Sequence, residues 1–326
     1  MEVGEERFMK IKKDISAYNI KQKGIKYASA LVRYLMLGAV GYVILVQLIY
    51  ILSYAFRTTD DVFDASVVWL PKHYTLENFK IAIEALDFFP HLLTTLTIQV
   101  LSGLIEVITC ALPAYALARF NFKGKNIFFG IVILMILLPP QVTAVSMSLN
   151  YAHFDVLGIL NIIGKIFGID IRPNLLNTGF VFWLPSLFGV GLRSGLFVFI
   201  YRQFFAGLPK ELEEAASIDG ANAFTTFTRV VIPSSGVAFL TVTIFSVVWH
   251  WNEYYQSIIF FDSNYPLSVA LTQLSSGIVA ALGQGATGST AYTMAAVALC
   301  IFPVLLVYVV LQRKFIASID RVGIVG

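Results

Sequence analysis

Charge is scarce in this chain. Asp, Glu, Lys and Arg together make up 13% of its 326 residues, about half the share usual in a soluble domain. With 57% hydrophobic residues and a mean hydropathy of +0.76, it cannot cover itself with polar surface. That excludes an ordinary water-soluble globule and points to a polytopic membrane protein. Cysteine is nearly absent: Cys110 and Cys300 both lie in apolar runs, where they behave as small hydrophobes and offer no disulfide framework or metal spacing. The four histidines, His73, His91, His153 and His250, are scattered, which argues against a membrane-embedded enzyme built on paired His and acid ligands. A net charge of +3 gives no reason to expect a nucleic-acid partner. A phosphate-cradling loop is also missing. GILNIIGKI at residues 158–166 has five residues between its glycines where that motif has four, and it ends in Ile rather than Ser or Thr. If the protein is a pump, another subunit supplies the energy.

What the chain has instead is six long apolar stretches, near Leu35–Phe56, Leu92–Leu117, Ile127–Leu149, Phe180–Tyr201, Val237–Ile258 and Ala291–Leu311. At about 1.5 Å per helical residue each is long enough to span a bilayer core, so the expected fold class is all-α with six transmembrane helices. Pro113, Pro139, Pro140, Pro185 and Pro303 fall inside these stretches, and kinked spans are expected. Seventeen of the 23 Lys and Arg fall on one side if both termini are cytoplasmic, which sets the orientation by the positive-inside rule. Residues 1–33 then form a cytoplasmic tail and residues 34–326 a single six-span domain, its first span an uncleaved anchor.

Between the fourth and fifth stretches runs ELEEAASIDGANAFTTFTRVVIP, residues 211–233. Pro209 and the acidic residues that follow suit a helix start. Ala215 and Ala216 lack bulk and permit close approach of a partner. Gly220 can end the helix in a left-handed conformation, giving a helix–turn–helix bend. With Glu214, Asp219 and the Ile232-Pro233 pair, this pattern resembles the cytoplasmic coupling loop of the permease subunits of bacterial ABC importers. Further stretches resemble the same family in family order: YTLENF (74–79), AYALARFNFKGKN (114–126), PPQV (139–142), WNEYY (251–255), YPLSVAL (265–271) and QRKF (312–315). The closest subgroup is the second permease of maltose-type oligosaccharide importers.

The resemblance implies a permease without enzymatic activity of its own, in a bacterial inner membrane and in contact with its lipid. It implies pairing with a homologous permease subunit and two ABC ATPase subunits, with ATP and Mg bound by those ATPases and no cofactor in this chain. An extracytoplasmic solute-binding protein would deliver a carbohydrate; a permease for a polyamine or glycerol phosphate is the alternative. Polar residues within spans are costly and invite a functional reading. Glu106 and Gln99 seven residues before it are candidates for the solute path or for a helix–helix hydrogen bond. Asn252 and Glu253, among aromatic residues, are candidates for the path or for an interface belt. The uncharged, glycine-rich stretch 275–290 reads as a mobile external loop. By resemblance its tip, Gly283, Gln284 and Gly285, would touch the binding protein.

Overall fold

The computed structural model describes residues 2–156, 158–283 and 289–323, with side chains over 25–156, 158–283 and 290–312. Among the described residues there is no β-strand, only one bridge between Arg57 and Tyr74. The fold is a bundle of helices. Helix α1 (Glu2–Ala55) runs unbroken from the basic N-terminal segment into the first apolar stretch, so no break marks residue 33. A short α2 (Glu77–Ala85) packs against the last long helix. Helix α3 (Phe88–Arg119) covers the second stretch, with a π-helical turn at Thr95–Val100. The last helix, labelled α14, runs Ser289–Gly323. Within it Thr290–Gln312, together with Ile25–Ala55 and Phe88–Arg119, is long and apolar enough to cross a membrane.

The other three expected spans are broken, for local reasons. The third is two helices, α4 (Lys125–Leu137) and α5 (Pro140–Ala152), bent by 100°; consecutive Pro139 and Pro140 remove two backbone donors and forbid a continuous turn. A short α6 follows (Ile159–Phe167). The fourth is α7 (Phe180–Leu187) and α8 (Ser194–Gly207), separated by an unwound stretch in which Gly189 and Arg193 have φ of 67° and 63°. Beyond α9 (Glu211–Ile218) and α10 (Ala223–Ser234), the chain turns by 79° into α11 (Gly236–Trp251). Helix α11 stops short of the expected Ile258: Asn252 is its C-cap, and α12 (Tyr255–Phe260) restarts after it.

A further correction concerns 275–290. Leu267–Leu282 forms an apolar helix, α13, and not a loop. Leu274 and Ile278 are buried in it, and Gly277 lies directly on the Ala85 carbonyl of α2, where any side chain would collide. That glycine serves close packing, not flexibility.

Among the described residues, three buried apolar clusters run through the bundle, one of them joining Ile98, Tyr151, Val181, Phe182, Phe260 and Phe261; the other two lie toward its ends. One, at the end carrying α9, joins Ala114, Leu117, Phe205, Phe227 and Val231. The other, at the far end, joins Ala55, Leu86, Leu267, Ile278 and Tyr292. There Asn78 donates its side-chain amide to the carbonyls of Ala55 (2.9 Å) and Arg57 (2.7 Å), satisfying backbone acceptors left by the end of α1.

Candidate coupling segment and translocation elements

Leu208 ends α8 in an extended conformation and Pro209 leads into α9, whose first turn carries Glu211, Glu213 and Glu214. Three acids at a helix N-terminus complement its positive dipole. The helix closes by a double hydrogen bond, Ala221 N to Ala216 O (2.9 Å) and Gly220 N to Ser217 O (3.0 Å). This closure requires a left-handed residue, and Gly220 supplies it with φ of 81°. Asn222 then caps α10, its Oδ1 accepting from Thr225 N at 2.8 Å. Ile232-Pro233 sits just before the 79° turn into α11. The segment is thus a helix–turn–helix held by its own turn and cap hydrogen bonds.

Its two faces differ. Ala216 is buried against the bundle, while Glu214, Ala215, Asp219 and Gly220 are exposed, as is Ile218 at 87%. Glu213 faces inward: its Oε1 lies 2.8 Å from Nε of Arg119, the last residue of α3. Arg119 also donates through Nη2 to the Leu208 carbonyl at 2.6 Å. Sequence reasoning singled out Glu214 and missed Glu213 and Arg119. The local pattern makes both glutamates first-turn acids, and only the fold brings Arg119 beneath one of them.

Gln99 and Glu106 both lie within the packing of α3. Gln99 donates to Ser257 Oγ (2.9 Å). Glu106 Oε1 accepts from Ser186 Oγ (3.0 Å) and stands 3.8 Å from Nε2 of His250. Gln99, Glu106 and His250 are fully buried, so these residues join α3 to α7, α11 and α12 and face no open wall. Asn252 is exposed and hydrogen-bonds its own helix through Val248 O (2.8 Å). Glu253 lies just before Tyr254, the N-cap of α12, and its Oε1 accepts from Gln256 N at 2.7 Å.

A cavity of about 180 Å³ opens where α4, α5, α7 and α8 break, lined among others by Thr143, Tyr151, Phe182, Arg193, Gln256 and Phe260. None of Gln99, Glu106, Asn252 and Glu253 lines it. Its walls come from the irregular breaks, which apolar periodicity does not reveal. Gly283 ends α13 with φ of 84°; Gln284 and Gly285 lie outside the described residues.

Residues 107–321 match the profile of the binding-protein-dependent transport system inner membrane component family, more than half of the chain. The chain belongs to that family. As an inner membrane transport component it is a multi-pass membrane protein, and its exposed α9 lies inside the matched region. The alpha-glucoside transport system permease protein AglG of Rhizobium meliloti (strain 1021) is 28% identical over 249 residues, which cover 76% of this chain but 60% of AglG. The diacetylchitobiose uptake system permease protein NgcG of Streptomyces coelicolor (strain ATCC BAA-471 / A3(2) / M145) is 26% identical over 281 residues, 86% of this chain and 83% of NgcG. In structure, the chain resembles one from a bacterial ABC transporter involved in import of the acidic polysaccharide alginate. The TM-score is 0.66 at 22% identity, covering 88% of this chain and 96% of the other. The fold of this transport component is therefore that of a known importer.

Proposed function

We propose that this chain is one of two paired permease subunits of an ATP-driven importer in a bacterial inner membrane, and that it carries an oligosaccharide. The broken α7–α8 pair counts as one span in this reading, giving six spans with both termini cytoplasmic and α9 on the cytoplasmic side. Two ABC ATPase subunits, which bind ATP and Mg, dock on the exposed face of α9 and the turn at Gly220. An extracytoplasmic solute-binding protein delivers the solute at the opposite end, near Gly283, Gln284 and Gly285. The observation that carries this reading is the α9–α10 segment, with its exposed Glu214, Ala215, Ile218 and Gly220, in a chain of this transport family. Relatives named for alpha-glucoside and diacetylchitobiose transport support a carbohydrate.

In mechanism, closure of the ATPase pair would push α9 as a lever and rock the spans between inward- and outward-facing states. The cavity at the helix breaks suits a sugar: Tyr151, Phe182 and Phe260 offer ring faces, and Thr143, Gln256 and Arg193 offer hydrogen bonds. The test is reconstitution of the full complex in proteoliposomes with its binding protein. ATP-dependent uptake of labelled di- and oligosaccharides, not competed by polyamines or glycerol phosphate, is the expected result. Uptake of a polyamine or glycerol phosphate with no sugar uptake would overturn the substrate class.

A further inference from the structure

The coupling segment is covalently joined to α8 and α11, so a push on α9 reaches those helices through the chain itself. Helix α3 has no such connection. Arg119 supplies one. It is the last residue of α3, its side chain is 7% exposed, and it contacts Glu213 of α9 at 2.8 Å and the Leu208 carbonyl at the end of α8 at 2.6 Å. Buried Val231 and half-exposed Leu212 line the same small pocket as the pair. One turn back on α3, Tyr115 packs on Phe205 of α8 and Phe227 of α10. The inner end of α3 is therefore joined to the lever by an ion pair whose side chains are 7% and 22% exposed, partly withdrawn from water, where charges interact more strongly than at a fully exposed surface.

The rest of α3 is bonded along its length to the helices that would have to move. Val107 O accepts from Tyr201 OH (2.9 Å) and Gly103 O from Ser246 Oγ (2.9 Å). Gln99 donates to Ser257 (2.9 Å). At the far end Thr95 Oγ1 accepts from Leu267 N (2.8 Å), and His91 Nδ1 lies 2.6 Å from Tyr265 O. The far-end contacts reach the residues that begin α13.

We propose that Arg119 is a positioning residue that makes α3 move with α9, so that motion of the ATPases reaches the far end of the bundle, where α13 begins, through α3 as well as through α8 and α11. This rests on the importer reading above. Arg119 touches neither solute nor nucleotide; it acts through Glu213 and Leu208. The pair also explains why adjacent glutamates in the same turn differ in exposure: Glu213 holds the lever to the bundle, and Glu214 is left for the partner.

The experiment uses the whole reconstituted complex and reads solute moved per ATP hydrolysed, with ATPase co-purification measured alongside. Arg119→Gln and Glu213→Gln are expected to keep the ATPases bound and basal hydrolysis running while that ratio falls on the order of tenfold, within the usual range for coupling between distant sites. Arg119→Lys, which keeps the charge but not the two-pronged geometry, should fall between wild type and Arg119→Gln. The swapped pair Arg119→Glu with Glu213→Arg should recover part of the ratio. An unchanged ratio in Arg119→Gln would overturn the proposal, and so would loss of the ATPases in that variant, which would make Arg119 part of the docking scaffold. Glu214→Lys separates the two readings: its failure to release the ATPases counts against the docking assignment and not against the role of Arg119.

Discussion

Gly191 and the carboxyl of Glu106 share one space: a Cβ on Gly191 would collide with Glu106 Oε1 and press on Ser186 Oγ. Since Glu106 is fully buried, it has nowhere to go. The unwound stretch between α7 and α8 lets backbone without a side chain cover this carboxyl group. Gly195, four residues on, meets Met135 and the Val132 carbonyl in the same way.

Gly191→Ala is therefore expected to destabilise the purified protein by about 1–3 kcal/mol, the usual cost of overpacking a well-packed core. Glu106→Gln keeps an acceptor for Ser186 and should be nearly silent. Glu106→Leu leaves the Ser186 hydroxyl unpaired and should cost about 1–3 kcal/mol. Thermal denaturation in detergent ranks the three; Gly191→Ala as stable as wild type would contradict the packing described.

The segment after α1 carries a pH-sensitive anchor outside the spans. Asp61 accepts hydrogen bonds from the backbone amides of His73 (2.8 Å) and Lys72 (2.7 Å) and lies 3.1 Å from His73 Nδ1. The hydrogen bond from the His73 backbone above all, then that from its side chain, holds the carboxyl below the ordinary carboxylate range. A carboxylate with a lowered folded-state pKa stabilises the fold fully above its unfolded value, about 3.9. That contribution is lost as pH falls through the folded value. Protection of the amides of residues 58–73, measured against the intrinsic exchange rate at each pH, should hold from pH 7 to about 5 and fall toward pH 3. Asp61→Asn should exchange fast across the whole range. Equal protection in that variant would mean that Asp61 anchors nothing.

The solute path is testable at two places that the structure separates. Asn252 hydrogen-bonds its own helix, so Asn252→Ala should leave folding and assembly intact, whereas Glu253→Ala removes the acceptor of the Gln256 backbone amide and should cost about 1 kcal/mol. Gln256→Ala and Phe182→Ala alter the cavity wall. If the cavity is on the path, Gln256→Ala lowers transport several-fold with ATP hydrolysis retained, and Asn252→Ala does so only if the path also runs past the α11–α12 break. Uptake unchanged in both Gln256→Ala and Phe182→Ala would remove the cavity from the path.

Where the fold was legible in the sequence, a single force decides the local outcome. Leu92–Leu117 and Ala291–Leu311 are long apolar runs whose backbone must be satisfied within the segment, and both are continuous helices. The turn at Gly220 was readable because only a residue tolerant of left-handed φ can make that closure. The broken spans were harder. Pro139 and Pro140 announce a kink, but its 100° size depends on what α5 packs against. Counting glycines misread α13, because Gly277 marks the approach of Ala85 and not freedom of the chain. In the sequence Gln99 and Glu106 stay open between a solute path and helix–helix hydrogen bonding; their hydrogen bonds run between helices, but the partners Ser257 and Ser186 lie 158 and 80 residues away, beyond any local pattern. The pairing of Arg119 with Glu213 was hidden for the same reason.

The central claim is that the exposed face of α9 and the turn at Gly220 receive an ATPase. Co-purification of the ATPase subunits with this chain, and solute uptake by the same preparation, test it most directly in Glu214→Lys and Gly220→Leu. Gly220 has φ of 81°, and a Cβ there would meet no neighbour within 4 Å, so Gly220→Leu strains the turn without crowding the bundle. Both variants are expected in the membrane at wild-type levels, with ATPase binding and uptake lost. Wild-type ATPase binding and uptake in both would contradict that claim.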